Sequence, residues 1–361
     1  MEFRGARLRA PTSEHVSGTL GGAAEACGPR LMTRPATLTF LTRLTMSVFA
    51  RSTFSAAGYA AFRPSYPASL FRTVLAYHNT QSTSGTALDL GCGHGLISRE
   101  LSPSFARVIA IDPSAGMVKQ AADSTSDSKI TFRQASSEDL LFVADASVDL
   151  VVAGQAAHWF NYDKVWPELA RVVKSGGTLA FWGYKDNILV GFPAVNDIFM
   201  HFCYGEGESS PGSGVETMGP YWEKPGRQIL RDNLAAVVPP ESEWEKVKRI
   251  VYDPDRKTSR ADANTEAMEP EDPRAAWQQR KTMKLGEFEG YVHTFSAYRG
   301  WKDAHPELKS RAEGGAGGDI ADLLFDRLLE AVPEWKAAGD KWRDIEVEAV
   351  WGTTIILAKR K

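Results

Sequence analysis

A glycine-rich turn between two apolar runs is the feature that most constrains the fold of this chain. Residues 87–101 read ALDLGCGHGLISREL, in which Asp89, Gly91, Gly93 and Gly95 form the pattern D-x-G-x-G-x-G. The pattern predicts a strand, a tight turn and a helix, because glycine adopts the positive φ that such turns need. Backbone N–H groups at the start of the helix then lie where they can bind a ligand.

The turn differs from two common nucleotide-binding loops. A P-loop has a glycine, four intervening residues and then Gly-Lys-Ser/Thr, and no lysine stands in this stretch. A nicotinamide dinucleotide fingerprint has a glycine at its sixth position, where this sequence has Leu96, one place after Gly95. The missing sixth-position glycine disfavours a dehydrogenase. The second predicted strand ends at Asp112, whose carboxylate can accept hydrogen bonds from both hydroxyl groups of a ribose.

Short apolar runs alternate with helical patterns as far as about residue 190. TALDL, RVIAIDPS and VDLVVAG predict strands, whereas PASLFRTVLAYH and YDKVWPELARVVK predict helices. Apolar strands that alternate with helices indicate a parallel sheet covered on both faces. We therefore predict an α/β protein with a Rossmann-like, doubly wound, mostly parallel sheet.

The second half of the chain does not continue this alternation of strand and helix patterns. It contains a Gly/Ser/Pro-rich loop, a polar insert at 253–275 and, further on, renewed helical patterns. The final stretch, IEVEAVWGTTIILAKRK, predicts two strands hinged at Gly352, which would form an antiparallel C-terminal hairpin. We expect a helical cap or lid insertion that covers the sheet.

Composition divides the chain into four predicted segments. Residues 1–45 contain six arginines and no lysine. This composition is typical of a mitochondrial transit peptide, whereas the glutamates, glycines and prolines favour a disordered extension, with Met46 as an alternative start. The core with an N-terminal cap is predicted over 46–190, the helical cap or lid insertion over 191–335, and terminal strands that complete the sheet over 336–361.

Charge and cysteine content disfavour several classes of partner. The formal net charge is −3, and residues 46–361 carry 36 basic and 42 acidic residues, which indicates neither nucleic acid nor an anionic membrane as partner. Three widely spaced cysteines fit neither a disulfide framework nor a metal site. No apolar run reaches the roughly 18 residues that span a membrane. We expect a cytoplasmic monomer or weak dimer without metal, and a mitochondrial protein if residues 1–45 are a transit peptide.

Several motifs together resemble those of the class I S-adenosylmethionine-dependent methyltransferases. Residues 89–95 resemble their first motif and Asp112 their second, while SSEDL resembles the segment that lines adenine and GQAAHWF, at 154–160, the fourth-strand motif that faces the methyl group. The resemblance implies an enzyme that uses S-adenosyl-L-methionine as its cofactor. The cofactor-binding residues that it implies are Asp89, Gly91, Cys92, Gly93, Gly95, Asp112, Ser137, Glu138 and Gln155.

Four stretches resemble, more narrowly, the fungal trans-aconitate methyltransferase-like branch. They are YAAFRPSYP, QAAHWF, GPYWEKPGR and HTFSAYRGWK. The resemblance spans about 46–361, and the insert at 253–275 departs from it. It implies methylation of a small molecule, namely a carboxylic acid that becomes a methyl ester. The substrate-binding residues that it implies are Tyr59, Arg63, Trp159, Tyr221, Trp222 and Arg227.

His158 and two arginines are the candidate groups for the chemistry. A carboxylate acceptor is already ionised, so His158 would orient it, whereas for a hydroxyl or amine of a secondary metabolite or lipid His158 becomes the candidate base. Because the core is acidic, a carboxylate needs local positive charge, which the guanidinium of Arg63 or Arg227 supplies. Alternatively, Arg63 holds the cofactor's own carboxylate and Arg227 anchors a lid. A non-catalytic interaction protein that binds S-adenosylmethionine remains a further alternative.

Overall fold

The structure is a computed structural model of the 361-residue chain. It describes residues 62–79, 85–205, 217–254, 265–267 and 279–361.

Some of the sequence predictions therefore lie outside the described residues. These are the extension at 1–45, the alternative start at Met46, the candidate substrate residue Tyr59 and most of the insert at 253–275.

A single sheet of nine strands forms the centre of the described part of the chain. The strands are β1 (Thr86–Leu90), β2 (Arg107–Asp112), β3 (Ile130–Gln134), β4 (Val148–Gly154), β5 (Val173–Leu189), β6 (Trp244–Tyr252), β7 (Thr265–Ala267), β8 (Gln279–Lys284) and β9 (Glu346–Arg360). Their order in the sheet is β3-β2-β1-β4-β5-β9-β6-β7, and β8 also pairs with β9.

Helices pack on both faces of this sheet and above its edge. They are α1 (Ala68–His78), α2 (Leu96–Leu101), α3 (Ala115–Asp123), α4 (Tyr162–Val172), α5 (Pro193–Tyr204), α6 (Gly226–Arg231), α7 (Leu285–His293), α8 (Ser296–Ala304), α9 (Ile320–Ala331) and α10 (Pro333–Ala337). Short 3-10 turns lie at Ser102–Ser104, Ala157–Trp159, Gly219–Tyr221, Arg311–Glu313 and Gly339–Asp344.

The first five strands are parallel, which confirms the predicted Rossmann-like sheet. β1 pairs with β2 and β4, β2 with β3, and β4 with β5. The side chains of β1, β2, β4 and β5 are largely buried on both faces, as the apolar runs require, whereas most of β3 is exposed or half-buried. Strand order reverses at β1, and in such sheets ligands bind outside the carboxyl ends of the strands at this point.

The predicted hinge at Gly352 is wrong, although the antiparallel arrangement of the C-terminal strand is confirmed. β9 runs through Gly352 without a break and pairs antiparallel with β5, β6 and β8. The irregularity lies instead in β5, between Tyr184 and Asn187. A Cβ atom at position 352 would lie 2.8 Å from Cε of Lys185, so glycine here admits a neighbouring side chain.

The stretch at 191–335 is not wholly helical, which corrects the expected helical insertion. It contains the predicted helices α7, α8 and α9, but it also supplies β6, β7 and β8 to the sheet. These strands were missed because β7 and β8, TEA and QRKTMK, contain few apolar residues, and β6, WEKVKRIVY, does not alternate strictly between apolar and polar residues. The boundaries proposed for the four segments stay a prediction.

An apolar cluster joins the helices of the second half to the sheet. Phe199 of α5, Phe288 of α7 and Phe325 of α9 are buried together with Trp351 of β9. Nε1 of Trp351 donates a hydrogen bond to Oη of Tyr291 at 3.0 Å, so β9 contacts α7 directly. No helix in the described part of the chain is long and apolar enough to cross a membrane.

Candidate functional site

The glycine turn after β1 has the conformation that its pattern predicts. Gly91, Gly93 and Gly95 have φ values of +67°, +55° and +83°. A Cβ atom on Gly91 would lie 2.5 Å from Cβ of Ala156, and one on Gly95 would lie 2.9 Å from the ring of Phe132. Glycine is therefore required at these two positions for space as well as for φ.

Asp112 holds this turn in place from the end of β2. Its Oδ2 accepts a hydrogen bond from the backbone N–H of Gly93 at 3.0 Å, and its Oδ1 accepts one from the N–H of Ser114 at 2.8 Å. Burial raises the pKa of the Asp112 carboxyl above its usual value, and these two bonds oppose that rise. The carboxylate lines the cavity described below.

Asp89 and Gly95, both predicted to bind the cofactor, stand at the two ends of the glycine turn. The side chain of Asp89 is fully buried, and its Oδ2 accepts a hydrogen bond from Oγ of Ser98 at 2.6 Å. Burial raises the pKa of Asp89 to about 7. Neither residue lines the cavity, so in this structure they shape the turn without facing the ligand space.

A cavity of about 840 Å³ opens at the carboxyl ends of β1, β2 and β4. Its place in the fold is the crevice where ligands of doubly wound sheets bind. The structure brings most of the predicted site residues together there. They are Arg63, Gly91, Cys92, Gly93, Asp112, Ser137, Glu138, Gln155, His158, Trp159, Tyr221, Trp222 and Arg227.

Glu138 is fixed at one end of the cavity by two hydrogen bonds. Its Oε1 accepts from the backbone N–H of Asn161 at 2.9 Å, and its Oε2 contacts the hydroxyl of Ser136. Ser137 beside it is buried and lines the same wall. Sequence reasoning missed Asn161, whose only signal is its position as the cap of α4.

The amide of Gln155 is bonded to the main chain of β5. Its Oε1 accepts from N–H of Tyr184 at 2.7 Å, and its Nε2 donates to the carbonyl of Tyr184 at 2.9 Å. Gln155 itself has a φ of +56°, which places it at the cavity wall. The predicted bond from this amide to the methionine end of the cofactor stays a prediction.

His158 is a buried, neutral imidazole at the centre of the site. Burial is the main reason that its pKa is lowered to about 3, and the positive charges of Arg227 and Arg63 contribute to the same shift. Its Nδ1 is buried, and none of the described residues forms a hydrogen bond with it. The ring packs against Trp159 with a centroid distance of 4.6 Å, and Trp159 is 38% exposed. His158 is thus suited to hydrogen bonding with a ligand and poorly suited to holding a proton.

Arg227 lines the cavity, but its charge is balanced from behind. Its Nη2 contacts Oδ1 of Asp186 and Oη of Tyr204, and its Nε donates to the same Oη at 2.6 Å. The guanidinium also lies 4.2 Å from the ring centroid of Trp222. Arg227 is therefore part of a buried network within the cavity wall.

Arg63 enters the cavity from the other side. Its Nη2 donates to the carbonyl of Thr294 at 3.2 Å and its Nη1 to Oη of Tyr184 at 3.4 Å. Tyr184 and Tyr66 also line the cavity, and sequence reasoning missed both. Both had a usable signal, because Tyr184 lies near the end of an apolar strand run and Tyr66 follows Arg63 within a motif stretch.

Tyr221 and Trp222 connect the cavity wall to two helices. Oη of Tyr221 lies 2.9 Å from Nε2 of His305, beside α8, and Nε1 of Trp222 donates to the carbonyl of Cys203 in α5 at 2.8 Å. The predicted lid movement of this segment stays a prediction.

Comparisons with known proteins agree with this geometry. The family described as "Methyltransferase domain" matches residues 88–181. A Saccharomyces cerevisiae protein named a probable S-adenosylmethionine-dependent methyltransferase, CRG1, is 29% identical over 285 residues, which cover 77% of this chain and 88% of that protein. The methyltransferase gedG of Aspergillus terreus is 35% identical over 130 residues, 35% of this chain and 40% of that protein.

A solved structure shows the same fold. It comes from Anaeromyxobacter dehalogenans, is named as a candidate type II methyltransferase, and is 24% identical. The alignment has a TM-score of 0.55 and covers 82% of this chain and 98% of that one.

The fold is Rossmann-like, and the matched family and the relative from Saccharomyces cerevisiae are both described as methyltransferases. The glycine turn and Asp112 fit S-adenosylmethionine, because the backbone of the turn and the carboxylate of Asp112 line the same cavity. This chain is an S-adenosylmethionine-dependent methyltransferase, and S-adenosylmethionine is its cofactor, which confirms the predicted enzyme class. The narrower trans-aconitate-like branch is not confirmed.

Proposed function

We propose that this enzyme methylates the carboxylate of a small acid and releases a methyl ester. A carboxylate oxygen forms a bond to the methyl carbon, the bond from that carbon to sulfur breaks, and its electron pair stays on sulfur, which yields S-adenosylhomocysteine. The cofactor supplies the electrophilic methyl group. The observation that carries the proposal is the buried, unprotonated His158, which lies in the positive field of Arg63 and Arg227.

The cofactor is proposed to bind along the β1–β2 edge of the cavity. The backbone at Gly91, Cys92 and Gly93 would approach it closely, since these residues line the cavity. Asp112 would accept hydrogen bonds from the ribose hydroxyls, because each carboxylate oxygen that already accepts one N–H has a second acceptor site. Ser137 and Glu138 would lie against the adenine.

His158 is proposed to orient the acceptor. A general base works best when its pKa is near the working pH, and a histidine with a pKa of about 3 is far below that range. A carboxylate needs no base, because it is ionised at neutral pH. This contrast favours an acid over a hydroxyl or an amine as acceptor.

Arg63 is proposed to bind the acceptor carboxylate, and the aromatic residues exclude water from it. Trp159, Tyr221 and Trp222 line the acceptor side of the cavity, where removal of water strengthens each charged contact. Arg227, which we predicted as a second acid-binding group, is bonded to Asp186, so we assign it to the wall.

A methyl-transfer screen tests the proposed function. Purified enzyme is incubated with isotopically labelled S-adenosylmethionine and panels of small carboxylic acids, phenols, amines and lipids, and the products are identified by mass spectrometry. We expect a methyl ester from at least one acid, including acids related to trans-aconitate. A neutral phenol or amine as the best acceptor refutes the proposal, and cofactor binding without any methylated product favours a non-catalytic interaction protein.

The partners, the oligomeric state and the location of the enzyme stay predictions. We expect a small-molecule acceptor, no nucleic-acid or membrane partner, a monomer or weak dimer, and a location in the cytoplasm or, alternatively, in mitochondria. Size-exclusion chromatography with light scattering measures the oligomeric state.

A further inference from the structure

The start of α8 forms part of the wall of the cavity that contains His158. Ser296, the first residue of this helix, lines the cavity, and so does Gly300, one turn further on. Both residues belong to the stretch HTFSAYRGWK, none of whose residues is among the predicted site residues. The N-terminal end of α8 therefore lies at the ligand space.

The N-terminus of α8 has hydrogen-bond donors that the helix itself does not use. The first N–H groups of an α-helix have no partner within the helix, and Phe295, the residue before α8, has no side chain that could cap them. The aligned peptide dipoles also place partial positive charge at this end. Such a helix end can bind an anion.

A buried serine side chain at the same place points to a ligand. Only 6% of Ser296 is exposed, and none of the described residues forms a hydrogen bond with its Oγ. Nδ1 of His158, in the same cavity, is likewise buried without a partner among the described residues. Because buried polar groups are nearly always hydrogen-bonded, we expect both groups to bind a molecule that enters the cavity.

The contacts of α8 place its N-terminus on the acceptor side of the cavity. Tyr221, which we assign to that side, packs against Gly300, where a Cβ atom would lie 3.1 Å from Cβ of Tyr221. The guanidinium of Arg63 donates to the carbonyl of Thr294, two residues before α8 begins. The cofactor, by contrast, is proposed to bind along the β1–β2 edge. These contacts favour the acceptor over the cofactor as the ligand of α8.

We propose that the N-terminus of α8 and Oγ of Ser296 form a subsite that binds a carboxylate of the acceptor. This inference rests on the proposed carboxylate acceptor. The hydroxyl donates to one carboxylate oxygen and the neighbouring backbone N–H groups donate to the other, each through a charge-assisted hydrogen bond. Ser296 is thus a substrate-binding residue that acts beside Arg63.

Binding of small acids and of neutral amides tests the subsite. The Kd values of trans-aconitate, succinate, benzoate, succinamide and benzamide are measured by calorimetry on enzyme loaded with S-adenosylhomocysteine. Ser296→Ala should weaken binding of the acids by about tenfold, because one hydrogen bond to a charged group is lost. Ser296→Asp should weaken it further, because a negative charge then stands where the carboxylate binds. The Kd values of the amides should hardly change in Ser296→Asp.

Two features of these variants separate anion binding from a general change in fold or charge. An acidic residue in the first turn stabilises a helix, so Ser296→Asp opposes the acid without opposing α8. Ala194→Asp is the matched control for added charge, because Ala194 is exposed in the first turn of α5 and does not line the cavity. This control should bind the acids as the wild-type enzyme does. Ser296→Ala keeps the test decisive if Ser296→Asp does not fold.

The cofactor is the second source of a carboxylate in this cavity. S-adenosylhomocysteine carries that carboxylate, whereas methylthioadenosine lacks the whole amino-acid end. We expect Ser296→Asp, without bound cofactor, to bind both compounds as the wild-type enzyme does. Weaker binding of S-adenosylhomocysteine but not of methylthioadenosine would assign α8 to the cofactor and overturn the inference.

Two other results would also overturn it. In the first, none of the acids binds the wild-type enzyme, and in the second, the acids bind Ser296→Ala and Ser296→Asp as tightly as the wild-type enzyme. The methyl-transfer screen is read separately. If acids bind through Ser296 but none is methylated, the proposed function fails and the subsite stands. If an acid is methylated and its Kd does not depend on Ser296, only the subsite fails.

Discussion

Replacement of Asp112 by alanine should weaken cofactor binding and loosen the glycine turn at the same time. The native carboxylate accepts hydrogen bonds from N–H of Gly93 and N–H of Ser114, at 3.0 and 2.8 Å. Loss of an acceptor for a largely buried donor costs about 1–3 kcal/mol, so we expect the free energy of unfolding to fall by about that amount or somewhat more. Loss of the proposed ribose contacts should cost a further 1–3 kcal/mol or so of binding free energy.

Two measurements distinguish these effects. Calorimetry with S-adenosylhomocysteine should show a Kd increased by about 5- to 150-fold, and urea denaturation gives the free energy of unfolding. Asp127→Ala is the control for cofactor binding, because Asp127 also accepts a backbone N–H, from Lys129 at 3.0 Å, but is exposed and does not line the cavity. An Asp112→Ala protein that is destabilised yet binds S-adenosylhomocysteine with unchanged Kd would show that Asp112 only braces the turn.

Three further predictions concern protonation, space and movement. The pKa of His158 is lowered to about 3 in the folded enzyme, whereas a histidine of the unfolded chain gains a proton below about pH 6.5. As the pH falls from about 6.5 towards 3, protonation therefore favours the unfolded chain, and the free energy of unfolding decreases. His158→Gln should flatten the fall in free energy of unfolding over that range, measured by urea denaturation at each pH, and an unchanged slope contradicts the assignment. Gly91→Ala should destabilise the enzyme by about 1–3 kcal/mol more than Gly93→Ala, because only the former places a Cβ atom 2.5 Å from that of Ala156; equal losses would show that φ alone matters. Hydrogen exchange at 217–227 should slow when S-adenosylhomocysteine and acceptor are both bound, and no slowing removes the lid hypothesis.

The parallel half of the sheet could be predicted because its information is local. β1, β2 and β4 are apolar runs that glycines, prolines or helical patterns separate from one another, and this alternation has few other solutions. Gly352 misled us for the opposite reason. Glycine at this position leaves room for Lys185 of the neighbouring strand, because Cε of Lys185 would lie 2.8 Å from a Cβ atom at position 352. This contact joins residues that are far apart in the sequence.

In the site, too, some features could be predicted from the sequence and others could not. His158, Asp112 and the glycine turn follow strands, so their convergence at one sheet edge could be predicted from the fold. The state of Arg227 could not, because its partner Asp186 lies 41 residues earlier, at an irregular point of β5. Sequence motifs thus predicted which residues line the cavity, but not which charges are balanced there.

The place of β9 affects how this protein can be synthesised. β9 follows every other described strand in the sequence, yet it lies inside the sheet between β5 and β6. During translation, the parallel strands β1 to β5 and the glycine turn leave the ribosome first. One edge of β5 then has no partner strand until β9 has been synthesised. Open edges pair with other chains, so nascent chains of this enzyme should depend on chaperones until β9 is released.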